Sequence, residues 1–249
     1  MCVAKNMKVL ITGSRGFVGK NLKALLASRE GISVLEYHKD HTEDELIDKI
    51  KKADCLVHLA GVNRPTEEEE FDKINFGVTK RIIDILEENG KDIPIIFSSS
   101  TQVTDDNPYG RSKLKAEVAL QERKKNQKNR IYILRLPGIF GQGCKPNYNS
   151  VVATFCNNIK RNLSIQIHDP VKVINLMYIQ DLINHIDVLI KDLPELKNPL
   201  FLGPIHKISL EELAKSLTEF RDNNLLNKPV ELETPLRLAL YDTYQSYVK

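Results

Sequence analysis

Stretches of apolar and β-branched residues alternate along the chain with segments in which apolar residues recur every three or four positions. The strand-like stretches are Lys8 to Thr12, Ser33 to Tyr37, Cys55 to Ala60, Ile93 to Phe97 and Ile131 to Leu134. The helix-like segments lie near Val18 to Ser28, Glu43 to Lys52, Phe71 to Glu88 and Tyr109 to Lys125. Such alternation is typical of a parallel sheet that is covered by helices on both faces. The pattern therefore predicts an α/β fold with a doubly wound parallel sheet.

The alternation becomes less regular after Gly141. A polar stretch, Gln142 to Ser150, precedes helical segments near Val151 to Arg161 and Ile179 to Lys191, and a third helix is expected after Ser209, which forms a capping-box pattern with Glu212. Open α/β sheets bind ligands at the carboxyl ends of their strands. We therefore expect a single unit, 1–249, in which residues 7–145 mainly bind a cofactor and residues 146–249 form a small substrate-binding cap.

Composition narrows the choice of partners. The chain has 249 residues, of which 41% are hydrophobic, enough for one sizeable core. Lys and Arg number 36 and Asp and Glu 33, so the net charge of +3 predicts a small-molecule substrate and no nucleic-acid partner. The four cysteines and six histidines lack the spacing of a metal site or a disulfide framework. Without a signal peptide or a membrane-length apolar run, a cytoplasmic location is expected.

A glycine-rich segment directly follows the first predicted strand. Its spacing is GxxGxxG, and it opens a helical segment, so its glycines are expected to let a dinucleotide pyrophosphate approach the helix N-terminus. The residues are Gly13, Ser14, Arg15, Gly16, Phe17, Val18 and Gly19. The second predicted strand ends about 18 residues beyond Gly19, where an NAD-specific fold places an acid against the ribose. His38 and Lys39 stand there instead, and with Arg15 they favour the 2′-phosphate of NADP(H) over NAD.

Tyr109 and Lys113 share one face of the predicted fourth helix because they are four residues apart. Ser98 to Ser100 end the preceding strand, which can place a hydroxyl beside the phenol. An ammonium about 5 Å from a phenolate contributes roughly 3 kcal/mol at an effective dielectric constant of about 20. We therefore expect Lys113 to lower the pKa of Tyr109.

The segments TGSRGFVG, VHLAG, FSSS, YGRSK and ILRLPGIFG resemble the extended short-chain dehydrogenase/reductase family, which has a Rossmann fold. GVNRP, SSSTQVTDDNPYGRSK and CKPNYNSVVATFC resemble, more narrowly, the reductase domains of capsular-polysaccharide enzymes that also carry a C-terminal cupin epimerase domain. This resemblance implies NADPH-dependent reduction of the 4-keto group of a UDP-linked 2-acetamido-2,6-dideoxy sugar. Ser100, Tyr109 and Lys113 would be the catalytic residues, with Tyr109 as the general acid.

The same resemblance implies two sets of binding residues. Besides the glycine-rich segment, His38 and Lys39, the cofactor would contact Leu59, Ala60, Gly61, Ser98, Tyr109, Lys113 and Pro137. The substrate would contact Asn63, Arg64, Ser100, Gln102, Asn147, Asn149, Ser150 and Lys172. Gly138 and Ile174 stand where the family often has an asparagine and an arginine near the substrate pyrophosphate, which leaves Lys172 or Arg64 as substitutes.

Three other functions remain open on the sequence. A 4,6-dehydratase is disfavoured because Thr101 and Gln102 follow the catalytic hydroxyl where dehydratases carry acids. A nucleotide-sugar 4-epimerase of the same family needs no NADPH, and a non-catalytic NADP sensor or scaffold would not need Ser100, Tyr109 and Lys113. By analogy with the family we expect a homodimer through the third and fourth helices. The chain ends near where the cupin domain would begin. We therefore expect a separate cupin epimerase as a partner. We also expect this chain to catalyse reduction without C3 epimerisation.

Overall fold

The computed structural model describes residues 6–125, 130–192, 200 and 202–248. The chain forms two compact units. The first comprises Met1–Leu136 and Ile183–Leu202, and the second comprises Pro137–Leu182 and Gly203–Lys249. The predicted division at residues 145 and 146 is one of function and stays a prediction, whereas the compact units divide after Leu136 and the chain returns to the first unit at Ile183.

The first unit contains a five-stranded parallel sheet in the order β2-β1-β3-β4-β5. Its strands are β1 (Met7–Thr12), β2 (Ile32–Tyr37), β3 (Cys55–His58), β4 (Ile95–Ser100) and β5 (Ile131–Leu136). Leu200 adds a short parallel bridge beside Leu134. The central strands are buried, as expected for a parallel sheet with both faces covered. The predicted α/β fold with a doubly wound parallel sheet is confirmed.

The helices of the first unit follow the predicted apolar periodicity. They are α1 (Phe17–Ala27), α2 (Glu43–Lys52), α3 (Gly77–Glu88) and α4 (Pro108–Lys125), with a short 3₁₀ helix at Thr101–Thr104. Thr42 and Glu45 form a capping box at the start of α2. The single helix expected over Phe71 to Glu88 is wrong in one respect, because Phe71–Phe76 is π-helical before α3 begins. That wide turn carries the buried side chain of Asn75, which bonds to the backbone of Val62.

The second unit contains a three-stranded sheet that the sequence pattern did not predict. Its strands are β6 (Gly138–Phe140), β7 (Val173–Tyr178) and β8 (His206–Ser209); β6 and β7 run parallel, and β8 pairs antiparallel to β7. Helices α5 (Val151–Lys160), α7 (Leu210–Leu225) and α8 (Pro235–Val248) supply much of its core. Helix α6 (Ile179–Asp192) begins in this unit and continues in the first. Ser209 and Glu212 form the predicted capping box of α7.

Two searches of the described residues gave no candidates. No helix among residues 6–125, 130–192 and 202–248 has both the length and the apolar composition needed to cross a bilayer. Within the same ranges, no three His, Cys, Asp or Glu side chains converge in a way that holds a metal ion.

Candidate functional site

The glycine-rich turn joins β1 to α1, and its glycines allow the backbone to pack closely there. Gly13 has a φ of +70°, and a Cβ on it would lie 2.8 Å from the backbone nitrogen of Ala60. A Cβ on the buried Gly19 would overlap the carbonyl oxygen of Gly13. Gly16 is the N-cap of α1, where no side chain caps the helix and no acid stands in the first turn. The turn therefore fits a pyrophosphate, which the N–H groups of a helix N-terminus bind well.

The carboxyl end of β2 carries charged groups in a different arrangement from the expected one. Arg15 Nη1 lies 2.7 Å from a carboxylate oxygen of Asp40, and both side chains are exposed. The rings of His38 and His41 pack in a tilted arrangement with their centroids 3.8 Å apart. Partial burial and the nearby Arg15 lower the pKa of His38. Asp40, which the sequence analysis did not consider, neutralises part of the positive charge around Arg15, while Lys39 is exposed.

Ser100 and Tyr109 meet where β4 ends and α4 begins. Ser100 caps the 3₁₀ helix by accepting a hydrogen bond of 3.1 Å from the backbone N–H of Gln102. Its side chain also hydrogen-bonds the Tyr109 phenol. Burial raises the pKa of Tyr109, and the bond with Ser100 opposes only part of that rise. The expected lowering of this pKa by Lys113 is thus not seen in the structure.

Lys113 is directed at the carboxyl end of β4. Its Nζ donates a hydrogen bond of 2.8 Å to the carbonyl oxygen of Ser98 and lies 4.8 Å from the centroid of the Phe97 ring. A Cβ on Gly61 would lie 3.2 Å from the same nitrogen, so the glycine keeps this space open. The side chain is 4% exposed, and burial lowers its pKa to about 8 although Glu117 opposes the change.

A buried chain of hydrogen bonds, which the sequence did not reveal, links this region to the turn after β3. Asn75 bonds both backbone groups of Val62 and donates to Ser112 Oγ. Thr79 Oγ1 donates to the Asn75 carbonyl, so it accepts from His58 Nε2–H, and His58 Nδ1 accepts from Thr12. Burial lowers the pKa of His58 to about 3, so this imidazole is neutral. The network holds the segment that carries Asn63 and Arg64.

A buried ion pair completes the surroundings of α4. Glu117 accepts two close hydrogen bonds from Arg135, at 2.7 and 3.0 Å, and a short one from Ser99. Glu117 lies four residues after Lys113, so the sequence could have indicated that it belongs to this site. No local pattern indicated Arg135 as its partner.

The second unit carries the remaining predicted residues. Ser150 caps α5, accepting a bond of 3.3 Å from the Ala153 N–H, and the backbone N–H of Asn147 donates to Thr154. Asn147 has a φ of +55°, and Asn149 and Lys172 are exposed. Pro137 also belongs to this unit, while the other predicted cofactor residues, with Asn63, Arg64, Ser100 and Gln102, belong to the first. The assigned roles stay predictions.

The family of the chain follows from its match to a known family model. Residues 9–199 match the model of the NAD dependent epimerase/dehydratase family. The chain belongs to this family. The epimerase/dehydratase family binds a nicotinamide dinucleotide, which agrees with the glycine-rich turn, and the resemblance to extended short-chain dehydrogenases is confirmed.

Two relatives cover nearly the whole of this epimerase/dehydratase chain. It is 40% identical, over 97% of its length, to the UDP-2-acetamido-2,6-beta-L-arabino-hexul-4-ose reductase of Pseudomonas aeruginosa, of which it spans 65%. The capsular polysaccharide assembling protein CapF from Staphylococcus aureus is 42% identical with a TM-score of 0.88; 98% of this chain and 66% of CapF are covered. The chain therefore spans slightly less than two thirds of these relatives.

A more distant structure shares the fold alone. The UDP-glucuronic acid 4-epimerase from Bacillus cereus, in complex with UDP-glucuronic acid and NAD, has a TM-score of 0.83 at 16% identity, covering 97% of this chain and 99% of the epimerase.

Proposed function

We propose that the protein reduces the 4-keto group of a UDP-linked 2-acetamido-2,6-dideoxy sugar with NADPH, in the synthesis of a capsular or surface polysaccharide precursor. The observation that carries this proposal is the 40% identity, over 97% of the chain, to a reductase named for a UDP-linked hexul-4-ose. The meeting of Ser100, Tyr109 and Lys113 in the first unit supports it, because these groups suit carbonyl reduction.

Each of the proposed residues has a separate role in the reduction. When bound, the reduced nicotinamide supplies a hydride to the carbonyl carbon. Tyr109 donates a proton to the carbonyl oxygen, and its raised pKa keeps the phenol protonated at neutral pH. Ser100, which hydrogen-bonds the phenol, orients the carbonyl. The ammonium of Lys113 holds the nicotinamide ribose, and the turn of α1 holds the pyrophosphate.

The test of this reaction is turnover. The purified chain, given NADPH and a UDP-2-acetamido-2,6-dideoxy-4-keto sugar, should oxidise one NADPH for each sugar reduced. Mass spectrometry should find a product two hydrogens heavier than the substrate. The Tyr109→Phe variant serves as the control for trace contaminating reductases. A wild-type rate no greater than that of this variant would count against the proposal.

The choice of NADPH rests on Arg15, His38 and Lys39 at the end of β2. Asp40 works against it, because its carboxylate occupies Arg15 and repels a phosphate. We propose that the 2′-phosphate displaces Asp40 from Arg15, a charge-assisted contact that NADH cannot offer. NADPH should bind at least about tenfold more tightly than NADH, which is about 1.4 kcal/mol. Equal dissociation constants by calorimetry would refute this preference.

We also propose that the second unit binds the UDP-sugar through Asn147, Asn149, Ser150 and Lys172. In the first unit, Asn63, Arg64 and Gln102 would complete the contacts. A cupin epimerase would set the configuration at C3 before reduction, since the residues described here are proposed to reduce only C4. These assignments extend the reductase proposal to the substrate and to the preceding reaction.

We further propose that two copies of the chain associate through α3 and α4. The outward face of α4 exposes Leu114 and Val118, which are 40% and 45% exposed, four residues apart on one face of the helix. With Phe76 and Ala119 they line a shallow groove of about 540 Å³. An apolar strip with charged edges, here Lys80 and Glu122, suits a symmetric helix pairing between identical chains.

A further inference from the structure

Three residues of α4 face the end of β4. Tyr109, Lys113 and Glu117 are spaced by four, so they lie on one side of the helix. Three consecutive serines of β4 receive them: Ser100 bonds the phenol, the Ser98 carbonyl accepts from the ammonium, and Ser99 Oγ donates to the carboxylate. The third pair therefore continues the arrangement that holds the two proposed functional side chains.

Glu117 is buried and ion-paired although it takes no direct part in the proposed reaction. It is 1% exposed, and Arg135 on β5 binds it through both Nε and Nη2, at 3.0 and 2.7 Å. Buried ion pairs often contribute little net stability compared with apolar side chains of similar volume. Stability alone is therefore a weak reason for a charge at this position.

The negative charge of Glu117 stabilises the neighbouring Lys113 ammonium. Lys113 is nearly buried, and burial lowers its pKa to about 8 while Glu117 opposes the change. Among the described residues, His58 on β3 also interacts with Lys113 and is neutral, and Tyr109, one turn earlier on α4, is protonated. Arg135 on β5 is ion-paired with Glu117. Among these groups Glu117 supplies the negative charge.

We propose that Glu117 is a positioning residue of the reductase: fixed by Ser99 and Arg135, its carboxylate keeps the Lys113 ammonium charged and directed at Ser98. Lys113 can then hold the cofactor ribose at neutral and mildly alkaline pH. This role for the ammonium rests on the proposed function, whereas the effect of Glu117 on its charge does not.

The test is a direct titration of Lys113, which needs neither cofactor nor substrate. Lysine labelled with ¹³C at Cε is followed by NMR across the alkaline range, and its signal is assigned with Lys113→Met. In Glu117→Gln the midpoint should fall by at least about half a pH unit, because a nearby negative charge is lost and Arg135 is left uncompensated. The alkaline limb of the kcat profile should move the same way.

Asp187→Asn is the matched control. Asp187 on α6 is a carboxylate with a 5% exposed side chain in the same unit, and Arg29 and Lys191 each bind it at 2.8 Å. It should destabilise the fold without moving the Lys113 midpoint. An unchanged midpoint in Glu117→Gln, or an equal shift in both variants, would overturn the proposal. Absence of turnover in the wild-type protein would instead contradict the proposed reaction and not the effect of Glu117 on Lys113.

Glu117→Asp covers the case in which Glu117→Gln does not fold. It keeps the charge but withdraws it by one methylene, so the midpoint should lie below the native value. A native midpoint in Glu117→Asp, together with a weakened contact to Arg135, would also overturn the proposal.

Discussion

At the residue scale, Tyr109 differs from the simplest expectation for a proton donor. Burial raises its pKa, because the phenolate would lose hydration, and the hydrogen bond with Ser100 recovers only part of the loss. Lys113 points at the Ser98 carbonyl and not at the phenol. For reduction this arrangement is useful, since the donor must begin the reaction protonated.

Tyr109→Phe should lose about 10²- to 10⁴-fold in kcat while it still folds and binds NADPH, because only the proton donor is removed. Lys113→Met should lose rate and also bind NADPH more weakly, because the ammonium is proposed to hold the ribose. Stopped-flow kinetics and calorimetry separate the two effects. Retention of more than about a tenth of the native kcat in Tyr109→Phe would show that the phenol is not the donor.

Lys113 also makes stability depend on pH. Its pKa falls from 10.5 to about 8 on folding, so between these values the unfolded chain binds more protons than the native one. Native stability should therefore rise with pH across this window, by up to about 3 kcal/mol from this group. The free energies of unfolding of the native protein and of Lys113→Met are measured in urea below and above this window. The difference between the two proteins should grow with pH in favour of the native protein. A constant difference would mean that the buried ammonium has its ordinary pKa.

Asp40 is expected to limit cofactor selectivity. Asp40→Asn should raise the ratio of NADPH to NADH affinity severalfold, because Arg15 is freed and a repulsive charge is removed. Asp48→Asn is a matched control: its side chain is also 56% exposed, and it lies 2.6 Å from Lys52. Calorimetric dissociation constants for both cofactors would settle the comparison. A ratio that rises equally in both variants would indicate a general charge effect.

At the scale of the elements, the apolar periodicity predicted most helices and strands of the first unit. The glycine-rich turn, the five parallel strands and α1, α2 and α4 lie close to their expected bounds. The strands β6 and β8 were missed because three and four residues are too few for a pattern to emerge. The π-helical start before α3 was missed because an apolar spacing of three to four residues does not distinguish the two helix types. The Glu117–Arg135 pair depends on a sheet register that no local pattern encodes.

Helix α4 leads to a prediction about assembly. Val118→Glu should convert the proposed homodimer to a monomer, because a charge would be buried in an apolar helix interface. Leu238→Glu on α8 is the control, since Leu238 is 48% exposed and lies in the second unit. Light scattering after size-exclusion chromatography gives the masses. A native protein that is monomeric at micromolar concentration would contradict the proposed pairing.

At the scale of the whole molecule, the chain leaves the first unit after Leu136, returns at Ile183 and leaves again after Leu202. The sequence predicted a change of organisation near Gly141 but not the return, which depends on contacts between distant residues. Leu200 pairs with Leu134, and Arg29 binds Asp187, at sequence separations that no periodicity reveals. The candidate site residues of the first unit could be proposed from the sequence because glycine, tyrosine and lysine spacings are short. Asp40, Asn75 and Arg135 required the folded chain.

The most direct measurement of the central claim is the transfer of deuterium from cofactor to sugar. The protein is given NADPH that carries deuterium at C4 of the nicotinamide, together with a UDP-2-acetamido-2,6-dideoxy-4-keto sugar, and the product is examined by NMR. A reductase should place one deuterium at C4 of the sugar and release NADP in equal amount, and Tyr109→Phe should nearly abolish both. Product without deuterium at C4, or bound cofactor that is not consumed, would contradict the reductase and favour an epimerase or a cofactor-binding protein without this activity.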